Sequence, residues 1–520
     1  MPEAVGAAGR LAGWARRLRL ADVPPRVVAH AHSQILSELA AVRASGTHSL
    51  GRRLMCAFGR PDSPDPKQTA YVLAALGICL DFDDTAYAGH LSHSCVTVPI
   101  AYSRQLHMDG AAVLTAVVAA NEVAARITAA ATLGPFRGQL AAHTHIAGAV
   151  IARLRAVQAP EAFWAPALGL GFALPPWPLD RACLGSEAKA LVAAVPVRTG
   201  LDAVDAALAG IAGPADILEH PDGFLARFAD VPLADALLLG LGERWHTETL
   251  SYKVHPGSAY ISAAVDCAIR LHQVIGQPRA AEIAEVEVSG SLLTVGIERQ
   301  AGAYLCGSRS PVAALNYSVG YNVATALLTG ALTVADLDAE RVADSERWSL
   351  AARVRVEHDP ALTAAALLGT APLGEAVRQA GARALPWLLR QTGSASDRDR
   401  ASTGSPPGAS AGSGTAAALE HAVSAAMTLG PSQGFATARK AVGARIRVRL
   451  LDGRSFEAFQ EVAVGAVGGA EHAEHAALAR RKYVGNGGDA RVADRVLCLD
   501  ELTAVQTTDL VTTVLRDVDH

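Results

Sequence analysis

Apolar residues recur three and four apart along most of the first half of the chain, the spacing of a helix with one buried face. Arg26 to Val42 shows this period after Val23-Pro24-Pro25, where proline suits a first helical turn. Asp109-Gly110 precedes a second such run, Ala111 to Ala130, and the aspartate is placed to cap its free amides. The period then changes. Ala281 to Val288 largely alternates apolar and polar residues, as do Ala352 to Val356 and Ala444 to Leu450, which predicts strands with one face buried. The last of these runs into Leu451-Asp452-Gly453, a turn, and helical stretches such as Val323 to Leu328 lie between them. Helical periodicity returns from Val496 to Val518. The pattern predicts a mostly α protein with a second α+β domain. Residues 1–275 form an all-helical bundle, 276–468 a smaller α+β domain, and 469–520 a segment rejoining the bundle. Gln391 to Thr415, dense in Ser, Gly, Thr and Pro, predicts a disordered insertion in the second domain.

Composition narrows the function classes. A chain of 520 residues exceeds one compact core, in keeping with two units. The net charge is −4 with no basic run, which argues against a nucleic-acid surface. The arginines of MPEAVGAAGRLAGWARRLRL follow its small apolar patch, so no secretory leader is expected. No apolar run reaches about 18 residues without a charge or a helix breaker, so no membrane span is expected. The seven cysteines are scattered and never spaced CxxC, a poor fit to zinc ribbons or disulfide frameworks and a good one to a reducing cytoplasm.

Four clusters interrupt these apolar surroundings with ionisable residues. Asp81-Phe82-Asp83-Asp84-Thr85 precedes Gly89-His90-Leu91-Ser92-His93, and three carboxylates so close together require a cation or a shared proton. A solvated loop is the plain alternative, and no second ligand cluster at fixed spacing supports a metal. His143 and His145 precede a small-residue helix and could serve as acid–base groups or as a surface pair. Lys189, with Arg198 nine residues on, lies among alanines and valines, as a buried lysine seeking an anion or as an exposed one on an amphipathic helix. Lys253 precedes His255-Pro256-Gly257-Ser258, a turn entering a helix whose N-terminus could help bind a carboxylate. Two lysines, several histidines and an aspartate cluster together suit proton abstraction beside a carboxylate. No phosphate-binding loop, nucleophile elbow or HExxH competes.

The order and wording of these clusters resemble the MmgE/PrpD family, which includes 2-methylcitrate dehydratase and cis-aconitate decarboxylase. The marks are Asp81 to Thr85 with Leu91-Ser92-His93 and Val98-Pro99, then Asn121 to Ile127 and the histidine loop at 143–145. Ser186-Glu187-Ala188-Lys189, Ile217 to Phe224, Trp245 with Lys253 and Pro256, and Ser318-Val319-Gly320-Tyr321 follow in order. The resemblance implies a helical domain plus a smaller α+β lid, a homodimer, a cleft site between domains, and action on small di- or tricarboxylates without metal or organic cofactor. It places the family's active-site residues on Asp81, Thr85, His93 (with His90 as fallback), His143 or His145, Lys189, Lys253 and Tyr321. Around Lys253 the chain departs from the family: His255, Ser258 and Ser262 stand where Tyr, Cys and His are usual.

The expectation is a cytoplasmic hydro-lyase. One of His93, His143 and His145 removes a proton α to a carboxylate. Lys189 and Lys253 hold the developing charge, Asp81 orients a partner, and Tyr321 protonates the leaving hydroxyl. Thr85, His90, Ser258 and Arg198 contact substrate. Decarboxylation is the nearest alternative and epimerisation the next. A non-catalytic scaffold is favoured if Lys189 and Lys253 are dispersed and exposed.

Overall fold

A computed structural model describes residues 6–87, 89–134, 139–176, 178–390 and 413–518. The chain folds into two units, each a compact body in its own right. The first contains residues 1–256, 433–437 and 465–520; the second contains 257–432 and 438–464.

The first unit is helical. Its frame is α1 (Pro25–Thr47), α2 (Pro66–Cys79), α3 (Gly110–Ala130), α4 (Gln139–Ala156), α5 (Leu191–Leu208) and α6 (His475–Gly485). Proline opens α1 and α2 at a position with no amide to lose, and Asp65 and Asp109 cap α2 and α3 by accepting from Lys67 N–H and Ala112 N–H. α3 packs on α4, α4 on α5, and α1 on α6. Small residues permit these approaches: a Cβ on Gly200 of α5 would lie 2.8 Å from the Ile146 carbonyl of α4. α3 is long and apolar enough to cross a membrane, but 89% of its apolar window is buried inside the fold, as a core helix.

The buried polar residues of α3 act as fasteners. Glu122 accepts from the amides of His246 and Thr247, each at 2.9 Å, and Arg126 donates to the carbonyls of Leu239, Gly240 and Arg244. These contacts pin the segment that leads into β2 (Ser251–Tyr252), which pairs antiparallel with β1 (Asp84–Thr85). Asp84 faces Tyr252 and Thr85 faces Ser251, so the residue after β2, Lys253, is set beside the aspartate turn.

The second unit holds a four-stranded sheet in the order β4 (Val354–His358), β3 (Ile283–Gly290), β5 (Ala444–Leu450) and β6 (Ser455–Gln460). β3 and β4 run parallel and the other pairs antiparallel. β5 alternates buried and open residues, and Asp452-Gly453 turns it into β6, with Gly453 at φ 90°. Helices Ser262–Ile275 and Val319–Thr329 pack together, the former also on β5 and β6.

The observed division differs from the one read off periodicity. The helix Ser262–Ile275 packs on the sheet and so falls in the second unit, and the first break comes after Pro256. Helical period alone does not say which layer a helix covers. The insertion expected over 391–415 lies outside the described residues as far as 412, and its last three open the helix Ser413–Leu429. Cys56, Cys95, Cys267, Cys306 and Cys498 form no disulfide.

Candidate active site

The aspartate turn follows α2 directly. Leu80 ends the helix and Asp81 turns the chain in a left-handed conformation, φ 51°, which a short polar side chain tolerates better than most. Asp81, Asp83 and Asp84 are all buried, and burying three carboxylates needs compensation.

Two lysines supply it. Lys189 Nζ lies 2.9 Å from Asp81 Oδ2. Lys253 Nζ lies 2.7 Å from Asp81 Oδ1, donates to the Asp81 carbonyl at 2.9 Å, and reaches Asp83 Oδ1 at 3.1 Å. Both lysines are about 95% buried, with relative exposures of 5%. Burial opposes ionisation of Asp81, but the two ammonium groups outweigh it and hold the carboxyl well below its usual range. Lys253, conversely, is raised: the aspartates overcome its burial.

Two histidines meet on the far oxygen of Asp83. His90 Nδ1 is 2.5 Å from Oδ2 and His93 Nε2 is 3.1 Å from it, the latter off the hydrogen-bond direction. The other nitrogen of His93 faces Glu38 Oε1 at 2.9 Å. A carboxylate only accepts, so His93, with an anion at each nitrogen, holds both protons. Burial alone would lower its pKa, but Glu38 and Asp83 raise it to about 10, so it is an imidazolium at neutral pH. His90 differs. Its Nδ1–H is fixed on Asp83, leaving Nε2 as the nitrogen able to exchange a proton, and its side chain keeps 22% exposure.

Asp84 takes a third state. Its Oδ2 accepts from Ser92 Oγ at 2.6 Å, and Ser92 accepts from Gln34, itself locked to Asn121. Burial, then Asp83 and Glu38, push the Asp84 carboxyl up to about 8, so it keeps its proton at neutral pH. Close packing makes room for these pairs: a Cβ on Gly77 of α2 would lie 2.2 Å from Glu38 Oε1 and 2.7 Å from His93 Nδ1.

Of the remaining sequence candidates in the first unit, His145 and Thr85 lie at the cluster, and His143 and Arg198 face elsewhere. His145 joins the cluster: its ring centre is 5.2 Å from that of His93 and its Nδ1 is 3.3 Å from Ser94 Oγ. Burial, reinforced by the neighbouring histidines, holds it neutral. His143 points elsewhere, edge-on between Phe224 and Phe228 at 4.6 and 4.7 Å, and burial pushes its pKa down to about 3. Residues two apart on a helix face different sides, which is why one histidine reaches the cluster and the other does not. Thr85 is buried in β1 beside the cluster. Arg198 is not buried there: on the outer face of α5 it keeps 42% exposure and lies 3.6 Å from Asp202.

Ser258 and Tyr321 belong to the second unit. Ser258 N–H donates to the Asn316 carbonyl. Tyr321 packs with Leu315, Leu337, Val342 and Trp348, and its hydroxyl donates to the Asp336 carbonyl at 2.7 Å. That hydroxyl closes a core contact within the second unit.

Two members of the cluster escaped the sequence reading. Glu38 sits on the buried side of α1 with Gln34 and Ser37, and polar residues at i, i+3 and i+4 on an otherwise apolar face were the available signal. Lys482 of α6 is also buried, and in Arg480-Arg481-Lys482 it reads as solvated charge, so nothing local marks it.

Asp83, His90 and His93 bring three potential metal-ligand atoms within 4.8 Å of one another. In the structure these atoms are engaged with one another, both histidines on Asp83 Oδ2 and Lys253 on its Oδ1. What the cluster can do is hold an anion between lysines and move a proton through His90.

Comparison with protein families matches residues 9–235 to the MmgE/PrpD N-terminal domain and residues 255–381 to the MmgE/PrpD C-terminal domain. Comparison with curated proteins finds no match.

Proposed function

The chain belongs to the MmgE/PrpD family, whose members are generally enzymes of the lyase or dehydratase type, and from that premise we propose that it dehydrates a small hydroxy di- or tricarboxylate of the 2-methylcitrate kind. The observation that carries the proposal is the convergence of Lys189 and Lys253 on one carboxylate, at 2.9 and 2.7 Å, beside the Asp83–His90 pair. Dispersed, exposed lysines would have suited a scaffold; these are buried and gathered.

In the proposed reaction a substrate carboxylate shares the two ammonium groups with Asp81. His90 Nε2 removes the proton α to that carboxylate, and the electron pair moves into the carboxylate as an aci-dianion facing Lys189 and Lys253. Asp83 stabilises the His90 imidazolium that results. The electrons then return to form the carbon–carbon double bond, the β C–O bond breaks, and the departing hydroxide takes the proton from His90 as water. His93 is already protonated, so its part is to fix Asp83 rather than to accept the proton. His145, neutral and adjacent, borders the same space. Tyr321 has no step in this scheme.

No resident metal is needed, and the protein is proposed to act as a homodimer. The test is a panel of hydroxy and unsaturated di- and tricarboxylates incubated with the purified protein, with and without EDTA, and read by mass spectrometry. Loss of water from a hydroxy acid, unaffected by EDTA, is expected. Loss of carbon dioxide alone would overturn dehydration in favour of decarboxylation, and activity abolished by EDTA and restored by a divalent ion would overturn the metal-free scheme.

A further inference from the structure

Lys482 enters the cluster from beyond both family-matched segments. Its ammonium is buried, donates to Ser37 Oγ at 3.0 Å and to the Phe82 carbonyl, and lies 4.2 Å over the Phe82 ring. Ser37 precedes Glu38 on α1, and Phe82 sits between Asp81 and Asp83, so one cation touches both segments whose carboxylates flank His93. A buried ammonium held only by a hydroxyl, a carbonyl and a ring is costly unless charge nearby offsets it. The titratable groups that face it are Glu38 from α1, Asp83 and Asp84 from the turn, and Lys253 from the segment after β2. The acidic groups offset part of the cost of burying the ammonium, and Lys253 adds to that cost.

We infer that Lys482 is a positioning residue of the proposed active site: its ammonium ties the Asp81–Asp84 turn to α1 and supplies the counter-charge that lets Glu38 and Asp83 flank His93 as anions. The inference takes this cluster as the site of the proposed reaction, but its test uses no substrate, so the two stand or fall separately.

Burial, opposed by Asp83, Asp84 and Glu38, brings the Lys482 ammonium down to about 8, while Asp84 is pushed up to about 8. In the unfolded chain the lysine is protonated and the aspartate ionised well above pH 8. Unfolding at about pH 8.5 therefore loads roughly three-quarters of a proton onto Lys482 and takes roughly a quarter of one from Asp84. Lys482→Met removes the uptake and, by deleting a neighbouring cation, raises the Asp84 carboxyl further, so more proton is released from it.

The experiment counts protons exchanged when the full chain, weakly buffered at about pH 8.5, is unfolded in guanidinium with an indicator dye. Circular dichroism checks that each variant starts folded. Lys482→Met should release about one proton per chain more than wild type. If that variant cannot fold, adding Glu38→Gln should restore folding, because it removes a buried carboxylate that the lysine compensates. A folded Lys482→Met that exchanges the same number of protons as wild type would overturn the inference. So would failure of both the single and the double variant to fold, which would make the lysine a packing element.

Discussion

Replacing Glu38 by glutamine keeps the shape of the buried Glu38–His93 pair and deletes its charge, which makes the pair's electrostatic part measurable. In the folded protein the His93 pKa rises from 6.5 to about 10. For a group whose folded pKa is raised, the stabilisation is fully present below the unfolded value and is lost as pH climbs through the folded one. Here that window runs from about 6.5 to 10. The net rise corresponds to about 5 kcal/mol, so Glu38 and Asp83, which must also overcome burial, together supply at least that, and Glu38 more than about 2 kcal/mol of it. Glu38→Gln should lower the His93 pKa by about 1–3 units, since burial and one remaining carboxylate then compete. The assay is nitrogen-15 NMR of histidine-labelled protein titrated from pH 5 to 10, with His93→Gln identifying the resonance. Alongside it, denaturant midpoints across the same range should fall less steeply with pH in the variant than in wild type. A His93 resonance that titrates at the same pH in both proteins would refute the claim that Glu38 holds the imidazolium.

Three further outcomes follow from the geometry. Lys189→Met and Lys253→Met each remove one charge-assisted contact worth about 2–4 kcal/mol, so kcat/KM should drop roughly thirty- to several-hundred-fold; near-wild-type kinetics in either variant would take that lysine out of the site. His90→Gln should abolish turnover with the fold intact by circular dichroism, whereas His143→Gln, set between two phenylalanines, should retain it. The reverse result would move the base to the other histidine motif.

Much of the fold was legible because it is periodic. The Asp109 cap, the alternation in Ala444 to Leu450 and the turn at Asp452-Gly453 are local instructions that the structure follows. β6 was not read: Ser455-Phe456-Glu457-Ala458-Phe459-Gln460 is short, and its strand character comes from pairing with β5. In the candidate site, Asp81, Lys189 and Lys253 stood out because charges among alanines are conspicuous, and the fold brings the three together. Glu38 and Lys482 did not stand out, since each acquires its meaning from a partner far along the chain. Arg198 and Tyr321 show the converse: residue type suggested chemistry, and tertiary packing gave one to solvent and the other to a backbone carbonyl.

The span between Phe82 and Lys482 has a consequence for biosynthesis. The two residues in contact are 400 positions apart. At about 5–20 residues per second, a ribosome that has made the aspartate turn works for roughly 20–80 s more before it adds the lysine that the turn's carbonyl awaits. For that interval the N-terminal helices can form and pack, but Glu38, Asp83 and Asp84 face one another without that cation. The turn then lacks one of its ties until late in synthesis, and nascent chains arrested before residue 482 should be cut by protease between Asp81 and His93 where released chains are not. A frameshift or nonsense lesion just before codon 482 would thus strike chemistry encoded 400 codons earlier.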